Sequence, residues 1–211
     1  GCNTTKFVPE GEYLLDKARV KVEDNKSVQT SDLTDYLQQK QNTEVLGFWK
    51  LQLDIYNTAP ADTANKTNAF LARNAHKMGE PPVIFSPELT DLSRLQLQRA
   101  MQNRGYFHTT VDTTMRVRKR KVDLTYHVTA REPYTIRNYS VRFAEPELRQ
   151  IAQDQRRSMI QEGMQFDADI MDQERQRVAS AMRKKGCFYF DKEMIQYQAD
   201  STRGVRQVSV T

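Results

Sequence analysis

Apolar and polar residues alternate along several stretches of this chain, most clearly over residues 121–129. Val122, Leu124, Tyr126 and Val128 stand at every second position there, separated by polar residues. A period of two places all four side chains on one face of a β-strand. Alternation of this kind, with the turn residues between stretches, predicts six strands: 17–23, 107–118, 121–129, 134–143, 188–199 and one from 205 onward.

Helical spacing with clear start and stop residues predicts two long helices. Ser86 is a good N-cap before Pro87, and Gly105 ends that helix at a position that tolerates a left-handed backbone. The second long helix runs from Asp167 to Gly186. Shorter apolar stripes predict three further helices: 32–40 with Ser31 as N-cap, 68–78, and one between Pro146 and Gly163. The apolar stretch 48–56 fits a strand or a short helix equally well.

The chain also repeats itself. Residues 85–107 match residues 166–188 at a displacement of 81, and residues 13–22 match residues 134–143 at a displacement of 121. The displacements differ by 40, so the first copy carries about forty additional residues, which we place at 41–82. Tandem copies of one small unit indicate modules that dock or handle other chains, rather than one large catalytic core.

The element order β-α-α-β-β occurs twice and predicts an α+β protein. Each copy is expected to form a three-stranded mixed sheet with two helices on one face. We predict an N-terminal tether at 1–12, a first module at 13–131 that carries the insertion, and a second module at 132–211. The sequence stops inside the last predicted strand, and we therefore expect the polypeptide to continue beyond Thr211.

Composition and charge exclude few classes of binding partner. Lys and Arg number 32 against 27 Asp and Glu, and no run of about 18 apolar residues predicts a membrane-spanning helix. The densest basic run, 116–121, lies at a predicted hairpin tip, where simple exposure to solvent and contact with anionic headgroups both fit. No aromatic stacking platform accompanies this run, so we predict no nucleic-acid partner.

The sequence contains no catalytic constellation. His76, His108 and His127 are far apart, and phosphate-binding, dinucleotide-binding and serine-nucleophile motifs are absent. We predict no enzymatic activity, no metal site and no cofactor.

The two cysteines have different surroundings. Cys187 follows a helix-ending glycine and is predicted to pack as a small apolar residue rather than to form a disulfide with Cys2. Cys2 lies in the sequence Gly-Cys-Asn-Thr-Thr, which resembles the start of a mature bacterial lipoprotein. We therefore predict that Cys2 is a site of lipid attachment.

Three segments of the repeat carry a recognisable signature: QNRGYF (102–107), RKKGCFYF (183–190) and EPYTIRNYSVRF (132–143). In the first two, a polar or basic helix end meets Gly and an aromatic residue. This signature resembles that of the POTRA domain. Three other segments are similar to the lipid-anchored TamL group of TamA/BamA-like proteins: residues 2–20, 46–57 and 79–85.

This resemblance implies a periplasmic chain of POTRA modules that precedes a transmembrane β-barrel in the outer membrane. It implies that the chain receives or relays unfolded outer-membrane proteins, or docks a periplasmic assembly partner, by adding a strand to a free sheet edge. The alternative is a non-catalytic adaptor whose modules dock one fixed partner in division or two-partner secretion machinery.

By analogy with that family, the free edges are 107–118 and 188–199. The candidate strand-addition residues are Val111, Thr113, Met115, Val117, Glu193, Ile195 and Tyr197. Charged neighbours such as Arg116 leave open that these edges are protected and bind nothing. Phe48 and Trp49 belong either to the core or to an exposed docking patch, and exposure of Trp49 would favour docking.

Overall fold

The structure is a computed structural model that describes residues 4–143, 149, 158–200 and 207–210. The chain divides into two compact units. Unit 1 consists of residues 1–98 and 110–129, and unit 2 consists of residues 99–109 and 130–211. Both units mix helices with a three-stranded sheet, as the sequence predicts.

Unit 1 is built around a mixed sheet. Its elements are β1 (Leu14–Val22), α1 (Thr30–Thr34), α2 (Leu51–Asn57), α3 (Lys66–Met78), α4 (Pro87–Asn103, whose last turn belongs to unit 2), β2 (Thr110–Arg118) and β3 (Lys121–Thr129). The strand order is β1-β3-β2, with β3 parallel to β1 and antiparallel to β2. The last strand in sequence therefore occupies the middle of the sheet.

The alternation along β3 determines which of its faces is buried. Val122, Leu124, Tyr126 and Val128 are all buried, while the residues between them are half-buried on the other face. Burial raises the pKa of the fully buried Tyr126 hydroxyl, while interactions with Ser93 and Thr90 of α4 act in the opposite direction. Burial of each such apolar side chain contributes about 1.5 to 3 kcal/mol, so β3 anchors the sheet to the helix above it.

The outer edge of β1 is closed by the segment that leads into α4. The Leu15 N–H donates to the Val83 carbonyl, and the Phe85 N–H donates to the Tyr13 carbonyl. Further along, the Ala18 N–H donates to the Gln41 side chain. These bonds occupy backbone groups that an edge strand would otherwise offer to a partner.

Unit 2 repeats the same sheet topology. Its further elements are β4 (Thr135–Tyr139), α5 (Ala168–Lys184), a short 3-10 helix (Lys192–Met194), β5 (Ala199–Asp200) and β6 (Gln207–Val210). The order is β4-β6-β5, with a parallel and an antiparallel pair as in unit 1. Ile136, Ile160 and Met171 form its core cluster. The helix predicted between Pro146 and Gly163 lies largely outside the described residues.

The repeat found in the sequence is present in the backbone. The two ends of α5 are displaced by 81 residues from the two ends of α4 (87 to 168 and 103 to 184). The register of β1 shifts between Leu15 and Lys17, and that of β4 shifts between Ile136 and Asn138, a displacement of 121. Isolated bridges pair Leu14 with Ile84 and Thr135 with Gln165, which preserves both displacements.

The first short helix differs from its prediction. Helix α1 spans Thr30–Thr34, and no side chain caps it, so Ser31 is not its N-cap. The predicted helix 32–40 stops early because the following residues bond elsewhere. The Gln38 N–H donates to the Ser93 hydroxyl, and the Gln39 side chain bonds to both the Ile84 carbonyl and the Ser86 N–H.

The insertion is helical, which settles the ambiguity over residues 48–56. Helix α2 covers most of that stretch, and α3 begins after Asn65, whose side chain accepts from the Asn68 N–H. The buried residues of α3 are Ala72 and Ala75, whereas its larger apolar side chains Phe70 and Leu71 are exposed.

The described part of the predicted tether packs against the insertion. Phe7 makes edge-to-face contacts with the Tyr56 and His76 rings, and Val8 is buried in a cluster with residues of unit 1. The Lys6 ammonium donates to the Asn57 and Ala59 carbonyls. Within the predicted tether, Lys6, Phe7 and Val8 are thus part of the packed structure.

The strand predicted over residues 188–199 is wrong except for its last residue. The Asp191 side chain accepts from the Glu193 N–H and starts the 3-10 helix in that segment. Arginines of α5 then bind the segment: Arg175 donates to the Ile195 carbonyl, and Arg183 donates to the Phe190 carbonyl. These bonds hold the segment against α5, and among the described residues β5 begins only at Ala199.

Two equivalent glycines provide a matched test of the packing in unit 2. Gly105 and Gly186 both have positive φ, but a methyl group on Gly105 would lie 2.7 Å from the Phe166 carbonyl oxygen, while Gly186 faces open space. We predict that Gly186→Ala lowers the free energy of unfolding by about 1 to 2 kcal/mol through backbone strain alone. Gly105→Ala should cost about 3 kcal/mol or more, because backbone must also move.

Urea denaturation followed by circular dichroism measures both losses. Equal losses for the two variants would show that the close approach of Phe166 to Gly105 does not contribute to stability.

Candidate functional site

The outer edge of β2 directs alternate backbone groups away from the sheet. The Arg120 carbonyl, just before β3, accepts from the Leu14 N–H, and the Val128 carbonyl accepts from the Glu23 N–H. The even-numbered residues of β3 therefore direct their backbone groups toward β1. Its odd-numbered residues therefore bond to β2. Since Val111 lies opposite Val128 and Met115 lies opposite Leu124, the odd-numbered residues of β2 direct their N–H and C=O groups outward.

These outward-directed residues are the first four candidates predicted from the sequence: Val111, Thr113, Met115 and Val117. Among residues 4–143, 149, 158–200 and 207–210, no backbone group outside the sheet bonds to β2. Val111 is buried, but the side chains of Met115 and Val117 are 56% and 53% exposed. The edge therefore combines unpaired backbone groups with apolar surface.

The basic run beside this edge is only partly directed into solvent. The Arg120 guanidinium donates to the Val8 and Pro9 carbonyls, so this cation binds the N-terminal segment. Arg118 lies 3.5 Å from Asp123 in an exposed ion pair. Such exposed pairs contribute little to stability, and they leave most of the run accessible.

The second predicted edge does not have this geometry. Glu193 lies in the 3-10 helix and pairs with Arg175 at 3.6 Å, and the Ile195 carbonyl is occupied by the same arginine. Tyr197 packs on the core cluster of unit 2, and burial raises the pKa of its hydroxyl. None of these three residues lies on a strand, so only β2 offers a long edge within the described structure.

Sequence reasoning missed a buried ion pair between β1 and the insertion. Lys50 is buried, and its ammonium donates to the Asp16 carboxylate at 2.8 Å and to the Asp16 carbonyl. Asp16 is the additional residue at the register shift of β1. Burial pushes the pKa of Asp16 up, but the Lys50 hydrogen bond and the charges of Lys50, Lys121 and Lys17 outweigh it and lower the pKa.

Phe48 and Trp49 lie on the surface of the insertion, being 78% and 46% exposed. They belong to a closed loop in which Val45 and Trp49 exchange backbone hydrogen bonds. The Trp49 indole N–H donates to Asp54 at 3.0 Å, which fixes the ring against α2. The exposure of Trp49 meets the condition under which the sequence favours docking over core packing.

Among the described residues, Cys187 and the titratable side chains form no second site. Cys187 is half-buried with a free thiol, and Cys2 lies outside the described residues. Within the described ranges, no three His, Cys, Asp or Glu side chains are grouped as metal ligands. No helix in that part of the chain has the length and apolar character needed to cross a bilayer.

Comparison with known families identifies the fold of this chain. The family model described as POTRA, surface antigen variable number repeat, matches residues 18–131, which is more than half of the chain. The chain belongs to the POTRA family. The matched range contains β2, β3, the second half of β1 and the whole insertion, so the β2 edge lies on a POTRA fold.

Solved POTRA structures are also similar to this chain. BamA POTRA3-5 from Haemophilus influenzae is 14% identical, with 97% of each chain covered and a TM-score of 0.33. Omp85 POTRA1-2 from Anabaena is 10% identical, with 96% of this chain and 95% of that chain covered and a TM-score of 0.35. BamA from Haemophilus ducreyi lacking POTRA domains 1-3 is 16% identical, with 94% and 28% covered and a TM-score of 0.42.

These TM-scores lie below 0.5, so membership of the family rests on the family model. No curated protein matches the chain.

The buried ion pair generates a stability prediction. Lys50→Ala leaves the Asp16 carboxylate half-buried without its main partner, and we expect a loss of about 3 kcal/mol in the free energy of unfolding. Because the folded pKa of Asp16 is lowered, the pair stabilises the fold above the ordinary carboxyl pKa, and this stabilisation is lost as pH falls. In denaturant titrations from about pH 7 to about pH 3, the free energy of unfolding should fall less on acidification in Lys50→Ala than in the original chain.

Lys21→Ala is the matched control, since Lys21 pairs with Glu23 on the exposed part of β1. Its loss should stay within about 0.5 kcal/mol. A similar loss for both variants would contradict the importance assigned to the buried pair.

Proposed function

We propose that this chain is the periplasmic POTRA region of a TamA/BamA-like outer-membrane assembly protein of the lipid-anchored TamL group. In this role it receives or relays unfolded outer-membrane proteins, or docks an assembly partner, by adding an extended segment to β2. Membership of the POTRA family supports the proposal. The observation that carries it is the open outer edge of β2.

The geometry of β2 fits a ligand whose sequence varies. Outward N–H and C=O groups recur at every second residue from Val111 to Val117, and they recognise any extended backbone. A strand added there would align its side chains with the two faces of the sheet. One face presents Met115 and Val117, and the other presents polar residues such as Thr114 and Arg116.

This two-sided surface suits strands of outer-membrane barrels. Such strands alternate apolar and polar side chains with a period of two. Bound at β2, a barrel strand would place its apolar side chains beside Met115 and Val117 and its polar side chains on the opposite face. The cations Arg116 and Arg118 would then discourage pairing with other basic edges, which limits self-association.

Lipid attachment at Cys2 would fix the chain to the outer membrane at its N-terminus, beside the barrel that the family resemblance implies. Lys6 and Phe7 bind the insertion, and an extended chain spans at most about 3.6 Å per residue. A lipid on Cys2 would therefore lie within about 15 Å of residues that contact the insertion. The insertion would then be the part of unit 1 nearest to the membrane surface.

The second candidate function is that of an adaptor that docks one fixed partner. The exposure of Phe48 and Trp49 favours it, because a rigid exposed tryptophan is a common anchor of protein interfaces. The two functions use different surfaces. Loss of partner binding in a Trp49→Ala variant with unchanged peptide binding at β2 would assign the partner to this patch.

Strand addition at β2 is tested with a fluorescent peptide that has the sequence of an outer-membrane barrel strand. We predict that Met115→Pro weakens its binding about tenfold, because the variant loses an outward N–H without removing a bond to β3. Met115→Ala, which keeps the N–H, should stay within about threefold of the original affinity. Fluorescence anisotropy measures both affinities.

A peptide methylated on alternate backbone nitrogens is the control for backbone pairing and should bind poorly to every variant. Equal affinity of Met115→Pro and the original chain would exclude pairing at β2.

Lipid attachment is tested in cells that express the protein with a lipoprotein leader. We predict that the original protein is recovered with the membrane fraction and incorporates radiolabelled palmitate, whereas Cys2→Ser incorporates none. Cys187→Ser is the matched control and should label like the original. Labelling that persists in Cys2→Ser would contradict the proposed attachment site.

A further inference from the structure

Helix α3 exposes a face on which cations and a large apolar side chain share one ridge. Lys66, Phe70, Arg73 and Lys77 follow spacings of four, three and four residues, and such residues are neighbours on a helix surface. All four are exposed, and the Phe70 side chain is 63% exposed. The buried alanines lie on the opposite side of the helix. A long apolar side chain is therefore surrounded by positive charge in solvent.

The same surface is widened by Leu71 and Met78, which are also exposed. Helix α3 contains no acidic residue, and within the described structure Lys66, Arg73 and Lys77 form no ion pair. The nearest acidic residues along the chain lie outside the helix, and one of them, Glu80, accepts from the Thr43 N–H. The surface thus has three unpaired cations and exposed apolar groups together.

We propose that this face of α3 binds the surface of an anionic phospholipid bilayer. A bilayer surface accepts both components: phosphate groups attract the cations, and the boundary with the acyl chains accepts apolar side chains. A helix of thirteen residues is about 20 Å long and can lie flat at that depth. Simple solvation explains the three cations but leaves Phe70, Leu71 and Met78 in water without a partner.

The insertion holds α3 in a fixed orientation for this contact. Its buried side packs Ala72 and Ala75 against Ala59 and Phe7. The His76 ring stacks on Tyr56 with centroids 4.1 Å apart. At the end of the helix, Gly79 approaches the Tyr56 backbone so closely that a Cβ would lie 2.4 Å from its nitrogen. The exposed face is therefore presented without the need to order the helix on binding.

This inference goes beyond the proposed function, since it needs neither the β2 edge nor a lipid on Cys2. Both proposals place the insertion near the membrane, because the N-terminal segment that follows Cys2 packs on the same insertion. Either proposal can fail alone: vesicle binding reports on α3, and peptide binding reports on β2.

The test uses the 211-residue chain without lipid and phosphatidylcholine vesicles that contain about one-third phosphatidylglycerol. We expect co-sedimentation with these vesicles, weak binding to pure phosphatidylcholine, and loss of binding in about 1 M salt. The triple variant Lys66→Gln, Arg73→Gln and Lys77→Gln should bind about a hundredfold more weakly, since each cation near the surface contributes about fivefold. Phe70→Ser should weaken binding about tenfold.

A matched charge control removes three cations from the hairpin tip: Arg116→Gln, Arg118→Gln and Lys119→Gln. This variant should keep binding within about threefold, as should Phe48→Ser in the neighbouring exposed loop. Circular dichroism confirms that each variant is folded. In the background of Trp49→Phe, the emission of Phe70→Trp should shift to the blue on anionic vesicles.

Three results would overturn the proposal. They are equal binding to neutral and anionic vesicles, loss of binding in the hairpin control with retention in the α3 triple variant, and an unshifted emission of Phe70→Trp. A chain that binds no vesicle but captures an acidic protein through Lys66, Arg73 and Lys77 would assign the surface to a protein partner instead.

Discussion

The pairing of β3 with both of its neighbours is the constraint on which unit 1 depends. Strand β3 bonds to a strand on each side, so its backbone groups are satisfied in both directions, and its four buried side chains at alternate positions cover one face of the sheet. Because β3 is parallel to β1 and antiparallel to β2, the hairpin partner β2 is placed at the edge. The segment before α4 closes the other edge by bonding to β1. The free edge therefore follows from the order of the strands, without any specialised residue.

The internal repeat shows which features belong to the fold and which belong to this chain. The helix ends, the register shift in the first strand and the bridge to the segment before the helix all recur at the displacements of the sequence repeat. Within the described residues, two features do not recur: the insertion that carries α2 and α3, and the long edge strand β2. Phe107 packs on Tyr134 and Phe166, whereas Phe188, at the equivalent position, is 82% exposed. The proposed functions use the features that distinguish the copies.

Much of the fold could be predicted because local signals and tertiary packing agree. The Ser86 hydroxyl accepts from the Leu89 N–H as an N-cap should, and the alternation of β3 matches its burial. Predictions failed where contacts distant in sequence decide. Side chains of α5 hold residues 190–195 out of the predicted strand 188–199. The Lys50–Asp16 pair could not be predicted, since nothing in either local sequence indicates the other.

The central claim is that β2 offers every second backbone group to a partner, and amide hydrogen exchange measures this residue by residue. The account predicts an alternating pattern in the isolated chain: the amides of Asp112 and Thr114, bonded to β3, exchange slowly, and those of Thr113 and Met115 exchange rapidly. Slow exchange at Thr113 and Met115 as well would mean that another part of the protein covers this edge. That result would contradict the account.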